Sequence, residues 1–136
     1  MKPQNCRTLL IAKRLTLFPK TLAIVDNQLE IGGCTLADLA ARFGTPLYLY
    51  DRATLDDAVD QYRQSLALHY SGATQLTYAG KAFLCTAIAQ WAQQANLWLD
   101  CTGAGELYVA ERAKVNRSRI LVHGVNKSEA DLRAAP

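Results

Sequence analysis

The chain has 136 residues, half of them hydrophobic and a fifth charged, with a formal net charge of +3. That composition belongs to an ordinary globular domain, and no apolar run approaches the roughly 20 residues of a membrane-spanning helix. The basic excess sits at the start, where Lys2, Arg7, Lys13, Arg14 and Lys20 occur without an acid before Asp26. Nucleic-acid binding would need basic residues clustered on the folded part as well, with aromatics between them, and that pattern is absent.

Residues 1–21 read as a basic N-terminal extension, with a targeting peptide as the competing reading. Leu22-Ala23-Ile24-Val25, Asp26-Asn27 and Leu29-Glu30-Ile31 predict a hairpin that ends at Gly32-Gly33. Thr35 is placed to cap a helix over Leu36, Leu39, Ala40 and Phe43, which Gly44 ends. After Thr45-Pro46, Leu47-Tyr48-Leu49-Tyr50 reads as a strand, closing a lead-in over residues 22–50. Asp51 then caps a longer helix to about Leu68, with Leu55, Val59, Tyr62 and Leu66 spaced for one buried face.

A strand–helix alternation follows. Strands are predicted at Gln75–Ala79, Leu97–Leu99 and Ile120–Val122, and helices at Leu84–Ala95 and Glu106–Lys114, with Ser128 capping a third. This rhythm predicts βα units and a parallel sheet. The residues just past each strand are Gly80-Lys81, Asp100 and His123-Gly124. Active sites of parallel α/β folds gather beyond the carboxyl ends of the strands, so these are the candidate site residues. Taken singly, Asp100 also reads as a helix cap and His123 as a polar loop residue. Lys81 stands between Tyr78-Ala79 and Ala82-Phe83-Leu84, an apolar setting whose burial would lower an amine's pKa and favour a covalent role. Cys6, Cys34, Cys85 and Cys101 are too widely spaced for a zinc or redox motif and read as small hydrophobes in a reducing compartment. No metal site is expected. The Asn116-Arg117-Ser118 and Asn126-Lys127-Ser128 triplets carry no weight as glycosylation sites in a cytoplasmic chain.

Several of these segments resemble a known family. Tyr78-Ala79-Gly80-Lys81-Ala82-Phe83 is similar to the motif that carries the cofactor lysine in the fold-type III pyridoxal-phosphate decarboxylases. Asp100 to Leu107 and His123-Gly124-Val125-Asn126-Lys127-Ser128 resemble two later motifs, in the family's order. Ile31-Gly32-Gly33-Cys34 and Phe43 to Asp51 resemble the lead-in of the diaminopimelate decarboxylases among them. The resemblance runs from about Phe18 to Pro136.

It implies an α/β fold, the N-terminal part of a (β/α)8 alanine-racemase-like TIM barrel, cut after about three βα units, over residues 51–136. It implies pyridoxal 5'-phosphate as cofactor, Lys81 as its covalent anchor and the catalytic residue, and Asp100 and His123 as supporting residues at the cofactor site. The implied reaction is decarboxylation of meso-diaminopimelate to L-lysine, the last step of lysine biosynthesis. The partners implied are a small amino-acid substrate and a second copy in a homodimer, with no nucleic acid and no membrane.

Ornithine, arginine or carboxynorspermidine decarboxylation, a non-catalytic pyridoxal-phosphate-binding protein, and an interaction module remain the alternatives. The family's ring-stacking His, Gly-rich phosphate loop and pyridine-pairing acid would fall beyond residue 136, so the 136-residue chain alone is expected to be inactive. Two departures stand out. Gly80 replaces a commoner Val or Ser, which should loosen the backbone before Lys81, and Gly103-Ala104 replaces Ser-Gly, which removes a hydroxyl.

Overall fold

The protein is described from a computed structural model, in which residues 17–136 are described. The basic extension lies outside the described residues as far as residue 16. The chain forms two compact units divided between Gln61 and Tyr62.

The first unit opens on a three-stranded antiparallel meander, β1 (Ala23–Val25), β2 (Gln28–Ile31) and β3 (Cys34–Thr35). Asp26 and Asn27 both take positive φ, 47° and 63°, as a two-residue hairpin turn requires. Gly32 and Gly33, at 60° and 76°, make a second such turn. The glycine pair therefore continues the sheet into β3 instead of ending the hairpin, with Glu30 opposite Thr35.

Thr35 caps α1 (Leu36–Phe43) as expected, its Oγ1 accepting from the Asp38 amide at 3.1 Å. Gly44 ends the helix with φ 81°. Phe43 is exposed, with Arg42 5.1 Å over its ring, so it does not share the face formed by Leu36, Leu39 and Ala40. The strand expected over Leu47–Tyr50 does not form. Its four side chains are exposed, and among the described residues no strand supplies the ladder that an extended segment needs to become a strand. Asp51 caps α2 (Arg52–His69) through the Thr54 amide at 3.2 Å. Val59 is buried on this helix and Tyr62 is exposed, which narrows the predicted face.

The second unit is a parallel sheet in the order β4 (Thr77–Ala79), β5 (Trp98–Cys101), β6 (Ile120–Val122). Helices α3 (Thr86–Gln94) and α4 (Ala104–Arg112) connect the strands, and α5 (Glu129–Ala134) follows β6. Tyr78 pairs with Leu99 and Leu99 with Ile120 in register, while Cys101 pairs with Val122. These residues share one face and pack with Ala89, Leu107, Ala110, Ala113 and Val115 in the core. Leu99 is 1% exposed, a burial that contributes about 1.5–3 kcal/mol. Tyr78 meets the Trp91 ring edge to face at 5.7 Å and donates its hydroxyl to the Phe83 carbonyl.

The opposite face carries Thr77, Ala79, Trp98, Asp100 and Leu121, with Leu121 exposed. The sheet is open, with β4 and β6 each paired on one side only. This is the α/β architecture expected of an unclosed portion of a (β/α)8 barrel. Among the described residues no helix is long and apolar enough to cross a membrane.

Candidate cofactor site at the strand ends

Chain direction brings the carboxyl ends of β4, β5 and β6 to one end of the sheet. A short 3-10 turn, Gly80–Ala82, follows β4 directly and presents Lys81. Gly80 is buried, and a Cβ there would stand 2.7 Å from the Asp100 carbonyl oxygen on β5. The backbone before the lysine is thus pressed against the neighbouring strand. The expectation of a loosened backbone is wrong, because glycine is what lets the two chains approach.

Lys81 itself is exposed, as are Ala82 and Phe83. Among the described residues the apolar seat expected around it does not form, because Tyr78 turns to the helix side of the sheet and Phe83 to solvent. No hydrogen bond or ion pair ties Lys81 to another described residue.

Asp100 lies within β5, one residue before its end, and not just past it. The alternation of the strand turns Leu99 and Cys101 into the core and Asp100 away from it. His123 is the first residue after β6. Its amide donates to the Cys101 carbonyl at 3.1 Å, and its Nδ1 lies 2.7 Å from Asp100 Oδ1. The structure therefore joins two of the three predicted site residues in one contact, with Asp100 18% and His123 56% exposed. Asp100 stands inside a strand and not at a helix cap, while His123 opens the loop after β6.

Three further residues organise this end of the sheet. Glu106, in the first turn of α4, accepts from both the amide and the hydroxyl of Thr102, the latter at 3.0 Å. Lys127 donates its Nζ to the Thr102 carbonyl at 2.8 Å. Thr102 is held at its amide, hydroxyl and carbonyl, so the β5–α4 loop has fixed polar partners. The signal for Glu106 was legible as an acid in the first turn of a predicted helix. Lys127 lies within the His123–Ser128 segment, and nothing in the spacing marks it as a site residue.

Cys101 is buried between these groups. Burial first, and then the Glu106 and Asp100 carboxylates, push its thiol up to about 11, which makes it inert as a nucleophile. Among the described residues no group of three or more His, Cys, Asp or Glu side chains is arranged to hold a metal ion.

An aldehyde cofactor needs a reachable primary amine at the strand ends, with fixed polar groups beside it. Lys81 supplies such an amine in the turn after β4, and the Asp100–His123 contact supplies fixed polar groups at the neighbouring strand ends. Residues 52–136 match the family model described as the pyridoxal-binding domain of the pyridoxal-dependent decarboxylases. A diaminopimelate decarboxylase of Synechocystis sp. is 40% identical over 129 residues, covering 88% of this chain and 27% of the relative. Another, from Mycobacterium tuberculosis, is 45% identical over 77% of this chain and 23% of its own length. A solved diaminopimelate decarboxylase from M. jannaschii superposes with a TM-score of 0.74 at 26% identity, covering 85% of this chain and 28% of that one. The chain thus spans about a quarter of the length of the relatives it matches. Since the family model covers well over half of the chain, this protein belongs to the pyridoxal-dependent decarboxylases, and the matched pyridoxal-binding domain contains the candidate residues just described.

Proposed function

We propose that this chain is the cofactor-anchoring portion of a diaminopimelate decarboxylase, and that Lys81 is the covalent anchor. The observation that carries the reading is Lys81 on an exposed turn at the carboxyl end of β4, the strand paired with the β5 that carries Asp100 and its His123 contact. Relatives at 40% and 45% identity bearing the diaminopimelate name support the substrate. The M. jannaschii enzyme was solved in co-complex with L-lysine, the product the reaction would give.

Lys81 would hold pyridoxal phosphate through Nζ. The bound cofactor supplies an electron sink for the charge left on the substrate carbon as carbon dioxide departs. The chain's own residues bind and orient. Gly80, seated on β5, fixes where the lysine leaves the backbone. Asp100 and His123 set a polar pair at the neighbouring strand ends. Glu106 and Lys127 keep the β5–α4 loop from moving across them. A complete catalytic site calls for a closed barrel and, in the same reading, a homodimer in the cytoplasm. The described cysteines are free thiols, a state that a reducing compartment preserves.

The test is borohydride trapping of the 136-residue chain with pyridoxal phosphate, read by mass spectrometry. A single adduct is expected on Lys81 and none in Lys81→Ala, whose thermal midpoint should not change because the side chain is exposed. With meso-diaminopimelate the chain alone should release no carbon dioxide. Trapping spread over several surface lysines, or turnover by the chain alone, would contradict the proposal.

A further inference from the structure

The contact between Asp100 and His123 constrains more than the position of a ring. An ionised carboxylate only accepts hydrogen bonds, so the imidazole nitrogen that faces it must carry the proton. That nitrogen is Nδ1, 2.7 Å from Asp100 Oδ1. A neutral imidazole in water prefers the proton on Nε2, so the protein imposes the less common tautomer. Among the described residues no hydrogen-bond partner reaches Nε2, and the side chain is 56% exposed.

The hold on the ring continues through the backbone. The His123 amide bonds to the Cys101 carbonyl and the Lys127 ammonium to the Thr102 carbonyl, so successive carbonyls at the end of β5 anchor both sides of the His123–Lys127 segment. Between those anchors Gly124 takes φ 107°, and a Cβ there would come within 2.9 Å of Lys127 Nζ. The segment is wound tightly enough that the ammonium lies over the glycine.

The geometry points to Asp100 and Lys127 as positioning residues that fix His123 as the Nδ1–H tautomer, so that a bare Nε2 lone pair stands at the strand ends. A carboxylate that holds one ring nitrogen, and so selects the tautomer of a working imidazole, is a general device. An unprotonated Nε2 accepts a hydrogen bond or a proton from an ammonium group and repels a carboxylate or a phosphate. His123 is thereby suited to the amine end of an amino-acid substrate and unsuited to the cofactor's phosphate. That use rests on the decarboxylase reading, but the tautomer does not.

The experiment is long-range 1H–15N correlation on the full chain labelled at histidine, at alkaline pH and without cofactor. The chain has two histidines, His69 and His123, and His123→Gln assigns the signals. His123 is expected to show a pyrrole-type Nδ1 and a pyridine-type Nε2, with His69 showing the reverse. Asp100→Ala should invert the His123 pattern. Lys127→Met should move it toward the solution mixture, and Lys127→Arg should restore it. A pyridine-type Nδ1 in the unaltered protein would overturn the inference, as would an unchanged pattern in Asp100→Ala. An unchanged pattern in a folded Lys127→Met would remove Lys127 from it. Because no cofactor is present, failure here is separate from failure of Lys81 to take up pyridoxal phosphate.

Discussion

The close approach of Gly80 to Asp100 places the most demanding steric condition of the site one residue before the exposed Lys81. Gly80→Ala restricts the unfolded chain, a gain of about 0.4–1 kcal/mol. The new methyl, however, meets a backbone carbonyl and not the end of a flexible side chain. Overpacking of this kind costs about 1–3 kcal/mol, so net destabilisation is expected in urea denaturation, with weaker trapping of pyridoxal phosphate at Lys81. Cys101 offers a second check. Its folded-state pKa is raised from 9.0 to about 11, so the neutral thiol's contribution is fully present below about pH 9 and is lost as pH rises through 11. Iodoacetamide at pH 8 should therefore modify exposed Cys34 and spare Cys101 until the chain is unfolded, as read by peptide mass spectrometry. The place of Lys81 was legible in the sequence, because a motif and a strand end both mark it. Its surroundings were not legible. Neighbours in sequence alternate between the two faces of a strand, and Tyr78 spends its ring on Trp91 instead of covering the lysine.

At the scale of elements, caps and turns carried most of the legible information. Thr35, Asp51 and Ser128 each cap the helix expected of them, because a short oxygen-bearing side chain has few other uses at that position. Strands were less certain. Leu47–Tyr50 has the composition of a strand but pairs with no strand among the described residues, whereas Cys34–Thr35 has little strand character and gains a ladder from the glycine turn. Ladder pairing is a property of two segments, and one segment's residues do not state it. Ser128 and Asp131 form a reciprocal capping box at the start of α5. The Ser128 hydroxyl, followed by its amide, holds the Asp131 carboxyl below the usual 3.8, and the Thr54 hydroxyl does the same for Asp51. Depressed carboxyl values stabilise the fold above about pH 4, and that contribution is lost as pH falls through the lower folded values. Ser128→Ala should thus speed amide exchange at Leu132, whose N–H bonds to the Ser128 carbonyl, in neutral solution. The difference from the unaltered chain should shrink on acidification toward pH 3.

For the molecule as a whole, three parallel strands with two open edges leave little reserve. The largest fully buried side chains are Leu99 and Cys101, so the core of the second unit is thin. Leu99→Ala is expected to cost about 2–5 kcal/mol, a large part of the roughly 5–15 kcal/mol that holds a typical domain together. Circular dichroism should show the variant mostly unfolded at 37 °C, and native folding at that temperature would contradict this account of the core. The βα order and the sheet's existence were readable from the alternation of strand and helix, while the register was fixed only by pairing, Ala79 with Asp100 and Asp100 with Leu121. That pairing also sets a clock. Parallel partners are never adjacent in the chain, and Thr77 must wait for Trp98. At about 5–20 residues per second of synthesis, each strand leaves the ribosome roughly 1–4 s before the strand it will bond to. During that interval its peptide groups have only water, or another copy of the same nascent chain, to satisfy them, so the rate of translation through the helices sets how long each new edge is offered to the wrong partner.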